Sequence, residues 1–345
     1  MHVLMICNPN STSQNEALFR QVLPSLREVE GLTMFSRFTH YPGHAEDIVK
    51  GLTRDDYDAI IAVGGDGTVN EVVNGLLGPV EPGKELPTNL PALGVIPTGS
   101  ANVFARALGF PPTPLEATHV LARMLEHDLR RRIYLGTWND RWFAVNAGFG
   151  LDADVLSRVD RARENGFSAT PLRYLSVSVR AYLRARRKPP RINVHATAKD
   201  GSTLEVSEAP LMLASNTNPW TFLGPLPVVT NPRNSFDEGL GLFGLSDLTG
   251  IHGLVGMLHL MGADRRRWLN KVTKARTIQF DDAQEVILEC PEPHRFQADG
   301  ESEGEFEKIT LRTVRDALEV FAPQDPSPPH KRTARQILRD LIRMS

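Results

Sequence analysis

Asp58-Ala59-Ile60-Ile61-Ala62-Val63-Gly64-Gly65-Asp66-Gly67-Thr68-Val69-Asn70-Glu71 is the stretch from which the rest of the chain can be read. An apolar, β-branched run that ends in glycines and is followed by a new apolar periodicity from Thr68 predicts a strand, a tight turn and a helix. Three glycines in four positions let the backbone turn sharply and let a ligand approach the main chain closely. The helix N-terminus beyond them presents unpaired N–H groups and a partial positive charge, which suits a phosphate. Asp66 sets this turn apart. A carboxylate among phosphate-cradling amides repels the phosphate unless it binds a metal, orients a donor or takes a proton.

A second block repeats the pattern. Ala92-Leu93-Gly94-Val95-Ile96-Pro97-Thr98-Gly99-Ser100-Ala101-Asn102-Val103-Phe104-Ala105-Arg106 is again a short apolar strand, a turn and a helix start. Gly99, Ser100 and Asn102 are small polar turn formers whose side chains can cap a helix or bond a nucleotide. Two such loops about thirty residues apart, on neighbouring parallel strands, face one crevice at the carboxyl ends of a sheet. Upstream, His2-Val3-Leu4-Met5-Ile6-Cys7-Asn8-Pro9 predicts a first strand closing on an Asn-Pro turn. Far downstream, Phe296-Gln297-Ala298-Asp299-Gly300-Glu301 sets two carboxylates around a glycine on one turn, where they are available for general-base chemistry. As an isolated signal an Asp-Gly turn is common on hairpins.

On these residues the chain resembles the diacylglycerol kinase catalytic family, which includes bacterial lipid kinases and sphingosine kinases. The Gly64–Glu71 stretch resembles that family's nucleotide-binding signature. Its opening Gly-Gly-Asp-Gly also resembles NAD kinases and phosphofructokinase-like enzymes, and Gly99–Asn102 narrows the choice to the lipid-kinase branch. The resemblance implies ATP held by Asn8, Pro9, Thr39, Gly64, Gly65, Asp66, Gly67, Thr68, Asn70, Glu71, Gly99, Ser100 and Asn102, with Ser11 and Ser13 also available. It implies Glu301 as the base that deprotonates a lipid hydroxyl, supported by Asp299, and Mg²⁺ positioned by Asp66. Phe236-Asp237-Glu238-Gly239-Leu240 resembles a segment near which the family can hold a structural magnesium, with Glu238 as its oxygen ligand. Val103 and Tyr134 stand where many members carry acids that join the Asp66 equivalent in a magnesium–water network. The departure implies a reduced metal site or a different lipid.

Bulk properties agree with two soluble-type domains. At 345 residues the chain exceeds one comfortable core. A 41% hydrophobic and 23% charged composition is that of an ordinary globular protein, and a net charge of -2 argues against nucleic acid as the main partner. Cys7 and Cys290 are the only cysteines, which fits a reducing compartment without a disulfide framework. The first apolar run is too short for a signal peptide, and no run reaches the roughly 18 apolar residues that span a bilayer. A cytoplasmic protein that meets lipid at the inner membrane surface is the expectation.

Residues 1–131 alternate short apolar runs and helical patterns, the rhythm of a doubly wound, Rossmann-like α/β domain. From 132 to 322 many short strands separated by turns predict an antiparallel β-sandwich, with helical insertions near 153–187 and 250–271. By the resemblance this second domain holds the lipid side, its acyl chain in an apolar groove and its hydroxyl reaching in between the domains. In the tail, 323–345, Lys331, Arg332, Arg335, Arg339 and Arg343 interleave with Ile337, Leu338, Leu341, Ile342 and Met344. At helical spacing this suits an anionic membrane surface, and equally the chain's own surface or the mate in a homodimer. The expected function is ATP-dependent phosphorylation of a lipid alcohol, diacylglycerol-like or sphingoid-like. A soluble-metabolite kinase of the NAD kinase-like superfamily and a non-catalytic nucleotide- or lipid-binding regulator are the alternatives.

Overall fold

The computed structural model describes residues 1–9, 16–81, 83–150, 189–223, 226–246 and 277–323. Ser11, Ser13, both expected helical insertions and the basic tail beyond residue 323 lie outside these described residues. The described chain forms two compact units, one from Met1–Ala144 with the stretch from Val314 onward, the other from Val145–Thr313.

The first unit runs β1 (His2–Cys7), α1 (Glu16–Arg27), β2 (Thr33–Phe38), α2 (His44–Val49), β3 (Ala59–Gly64), α3 (Asp66–Leu77), β4 (Ala92–Pro97), α4 (Val103–Ala107), α5 (Pro114–Glu126), β5 (Arg130–Trp138) and β6 (Arg141–Phe143). Its parallel strands lie in the order β2-β1-β3-β4, with Ile6 beside Ala62 and Val63 beside Ile96. Every residue of β3 and β4 is buried. That is why they read as unbroken apolar runs: helices cover both faces of a parallel sheet. The strand order reverses between β1 and β3, since β2 lies on one side of β1 and β3 and β4 on the other. In open α/β sheets this reversal opens a crevice beyond the carboxyl ends of the strands. Here those ends are Asn8 and the Gly64–Gly67 turn.

The second unit runs β7 (Asn146–Gly150), β8 (Ile192–Ala198), β9 (Thr203–Ala209), β10 (Leu211–Ser215), β11 (Thr221–Leu223), β12 (Leu226–Val228), β13 (Leu240–Leu245), β14 (Thr277–Ala298) and β15 (Glu301–Phe321). The last residues of β15 belong to the first unit, where Val320 lies parallel to Leu93 of β4. The pairings of the second unit are antiparallel, as the short-strand rhythm predicts. Where the short-strand rhythm predicts several strands, Thr277–Ala298 is one strand of 22 residues. The start of β14 pairs with β13 and its end with β7, while β10 joins β13 to β7. The sheet thus folds back on itself around β14. Register shifts at Glu289/His294 and Phe296/Gln297 mark where the strand bends.

Candidate active site

At the reversal point the ends of β1, β3 and β4 are tied together through main chain. The Asn8 N–H donates to the Val63 carbonyl at 3.1 Å, and the Thr98 N–H to the Gly64 carbonyl at 2.9 Å. The Asn8 side-chain amide reaches Thr68 Oγ1 at 3.3 Å, so the Asn-Pro turn is fastened to the first turn of α3. Thr39, at the end of β2, is buried and donates its N–H to the Cys7 carbonyl. No side chain caps the N-terminus of α3, where Gly65 stands extended. The first-turn N–H groups of such a helix end are where an anion can bind.

The two glycine turns meet backbone to backbone. A Cβ on Gly99 would lie 2.6 Å from the Gly65 Cα, and one on Gly65 would lie 3.2 Å from the Gly99 Cα. A side chain at Gly99 would force the backbones apart, and one at Gly65 would need its neighbour to give by a few tenths of an ångström. Asn102, in the left-handed region with φ 49, closes the second turn: its Oδ1 accepts the Gly99 N–H at 2.9 Å and its amide donates to the Gly99 carbonyl at 2.8 Å.

Asp66 locks the turns together from the other side. Its carboxylate accepts the Val103 N–H at 3.0 Å and the Phe104 N–H at 2.9 Å, the first two amides of α4. Part of its surface remains accessible, yet desolvation by the surrounding protein raises its pKa above the ordinary carboxylate value. The Phe104 and Val103 amides and the nearby charge of Arg106 pull the other way and do not win.

Asn70 and Glu71 follow along α3 and turn elsewhere. The Asn70 amide donates to the Trp142 carbonyl at 3.1 Å. Glu71 accepts the N–H groups of Gly43 and Ala45 at the start of α2, at 2.8 and 2.9 Å. The turn residues Asn8, Gly64, Gly65, Asp66, Thr68, Gly99 and Asn102 are therefore brought together. Pro9 and Ser100 lie exposed at the rims of their turns, and Gly67 sits in the first turn of α3.

In the second unit, Asp299-Gly300 forms the two-residue turn between β14 and β15, with φ 50 and 87. Positive φ at both central residues matches the twist of the flanking strands. Asp299 is 6% exposed, and its Oδ1 accepts the N–H groups of Val145 at 2.7 Å and Asn146 at 3.0 Å. Glu301, next along the chain, is exposed. Gln297 and Asn146, neither of them among the expected site residues, hold this turn. The buried Gln297 accepts the Gly300 N–H at 3.0 Å and donates to Asn146 Oδ1 at 2.9 Å, and Asn146 donates to the Trp220 carbonyl. The available signal was a glutamine inside an otherwise apolar strand end, since a buried amide side chain needs partners.

Glu238 lies exposed on the turn before β13, in a different unit from Asp66. Among the described residues no three His, Cys, Asp or Glu side chains gather as a metal cluster. Among the described helices none is long and apolar enough to cross a membrane.

Comparison with known proteins places this geometry. The family model of the diacylglycerol kinase catalytic domain matches residues 2–131. A diacylglycerol kinase of Bacillus subtilis (strain 168) is 37% identical over 156 residues, 44% of this chain and 48% of the relative. A probable lipid kinase, YegS-like, of Chromohalobacter salexigens is 34% identical over 141 residues, 39% of this chain and 42% of the relative. The matched stretch thus spans under half the length of each of these curated relatives. A crystal structure of a diacylglycerol kinase from Bacillus anthracis str. Sterne superposes with a TM-score of 0.66 at 19% identity, covering 94% of this chain and 98% of that one. Residues 2–131 are thus similar in sequence to the diacylglycerol kinase catalytic domain, and the chain as a whole has a fold similar to that of the Bacillus anthracis protein.

Proposed function

We propose that this protein transfers the γ-phosphoryl group of ATP to the hydroxyl of a lipid alcohol, diacylglycerol-like or sphingoid-like. The observation that carries the reading is the contact between Gly65 and Gly99, clasped by Asp66 on the amides of Val103 and Phe104. Two loops pressed together without side chains leave main-chain N–H groups to cradle phosphates, and a fixed cradle is what phosphoryl transfer needs.

ATP binds by its phosphates over the N-terminus of α3, with Thr68 and Asn8 at the edge of the cradle. Mg²⁺ fits this chemistry: it binds through one or two carboxylates plus substrate phosphates and keeps several waters. The Asp66 oxygens accept the Val103 and Phe104 N–H groups, and a carboxylate has about four lone-pair sites in all. Asp66 is the residue to hold the ion, which when bound offsets charge on the phosphates. The exposed Glu301 carboxylate takes the proton of the lipid hydroxyl as its oxygen forms the new bond to phosphorus and the bond to the ADP oxygen breaks. Asp299 serves by holding the turn, since its Oδ1 already accepts two amides. The lipid is met at the cytoplasmic face of the membrane.

The test is transfer of label from γ-labelled ATP, with Mg²⁺, to a panel of lipid alcohols in mixed micelles. A labelled lipid that disappears with Asp66→Ala supports the reading and names the substrate class. Label in a soluble metabolite instead, or ATP binding with no acceptor at all, would transfer the reading to a metabolite kinase or a regulator.

A further inference from the structure

Glu71 lies one and a half turns into α3, beyond the phosphate turn, yet both of its oxygens leave the helix. Oε1 accepts the Gly43 N–H at 2.8 Å and Oε2 the Ala45 N–H at 2.9 Å. These amides open α2, a helix whose own N-cap residue is Gly43, with φ 85 and no side chain to satisfy them. The cap that short polar residues usually supply locally comes here from 26 to 28 residues further along the chain. A turn later the same two helices touch so closely that a Cβ on Gly75 would lie 2.5 Å from the Glu46 carbonyl oxygen.

The loop thereby fixed runs from Thr39 to Gly43, beside the crevice at the end of β1. Within it the His40 N–H donates to His44 Nδ1 at 3.0 Å, and the Tyr41 hydroxyl donates to Asp47 at 3.0 Å. The Tyr41 ring stacks on that of His44, 4.4 Å apart and 18° from parallel. One ring face is thus backed by another ring, while Tyr41 remains 53% exposed. A large aromatic surface held this firmly without being buried is a ready stacking platform, and stacking of a base on an aromatic side chain contributes about 1–3 kcal/mol.

We infer that Glu71 is a positioning residue: it does not touch the nucleotide, but braces the Thr39–Gly43 loop so that Tyr41 offers its ring to the nucleobase of an ATP whose phosphates lie at the neighbouring turn. This rests on the reading of the first unit as the nucleotide site. The test reads binding as well as stability, since helix capping alone would move only stability. ATP affinity is to be measured directly, without lipid, for the unaltered protein, Glu71→Gln, Tyr41→Ala and the double variant, beside turnover at saturating ATP. Expected is an affinity loss of about tenfold in each single variant, which is 1.4 kcal/mol, and no further loss in the double variant. Faster hydrogen exchange at the Gly43 and Ala45 amides in Glu71→Gln should accompany it. Additive losses, unaltered affinity in Glu71→Gln, or a fall in saturating turnover with affinity intact would overturn the inference alone. Tyr41→Ala removes an exposed ring and keeps the test decisive where Glu71→Gln loosens the fold. Failure of the unaltered protein to bind ATP would overturn both this inference and the nucleotide-site reading, whatever the exchange rates.

Discussion

Gly64-Gly65-Asp66-Gly67 and Asp299-Gly300-Glu301 both place carboxylates beside glycines just beyond a strand, one in each unit. In the first, Asp66 turns inward and grips two amides of α4. In the second, the work divides between two acids: Asp299 turns inward and grips the amides of Val145 and Asn146, while Glu301 stays at the surface. Three acids of similar chemistry therefore differ in what their oxygens already do. A carboxylate that accepts buried N–H groups is part of the frame, because releasing it orphans donors at about 1–3 kcal/mol each. The exposed Glu301 is the acid to which our proposal assigns the proton transfer.

Breaking the comparison at its exposed member should have the largest effect. Glu301→Gln keeps size and hydrogen-bonding reach but cannot take a proton. Turnover should fall on the order of 10²–10⁴-fold with the melting temperature unmoved. Equal turnover in this variant would remove Glu301 from the chemistry.

Asp299 separates frame from charge more sharply. Both N–H groups go to one oxygen, and asparagine retains that oxygen and tolerates positive φ. Asp299→Asn should therefore be more stable than Asp299→Ala, which should lose about 2–6 kcal/mol from two orphaned donors. Denaturant unfolding of the pair decides it. Equal losses would mean that the charge, and not the acceptor, matters.

The glycine contact sets a graded test in the first unit. Gly99→Ala drives a methyl to 2.6 Å from backbone and should lower ATP affinity through about 1–3 kcal/mol of strain. Gly65→Ala, at 3.2 Å, should cost less. Reversal of that order in titrations with ATP would mean that the turns are not held together as described.

The smallest effect is a slope. Burial raises the Asp66 pKa in the folded chain, so the folded state holds its proton to higher pH than the unfolded state does. The stability from that proton is fully present below the ordinary carboxylate pKa and is lost as pH rises through the folded value. The unfolding free energy of the unaltered protein minus that of Asp66→Asn should therefore decline as pH rises from about 4. A flat difference, or a rising one, would mean that the amides of α4 outweigh burial.

The nucleotide-side elements were legible because their demands are local. A buried parallel strand reads as an unbroken apolar run, and a turn pressed against another backbone tolerates only glycine, so β3, β4 and both turns stand in the sequence. The partners of the acids were not legible. Glu71 reads as one more residue of a nucleotide signature, since nothing nearby in sequence reveals amides at Gly43 and Ala45. Asp66 meets Val103 and Phe104 from 37 and 38 positions away, and Asp299 meets Val145 from 154. Such pairs follow from the order of strands, which no local pattern encodes. The length of β14 was hidden for the opposite reason: the polar residues Asp281, Asp282 and Gln284 interrupt its apolar pattern, while in the fold they accompany the edge where β13 gives way to β8 as partner.

The most direct test of the division between frame and chemistry is to measure ATP affinity and lipid phosphorylation together in the Glu301→Gln protein. Unchanged affinity with phosphorylation lost is the result that this division requires. Affinity and phosphorylation falling in step, or phosphorylation continuing undiminished, would contradict it.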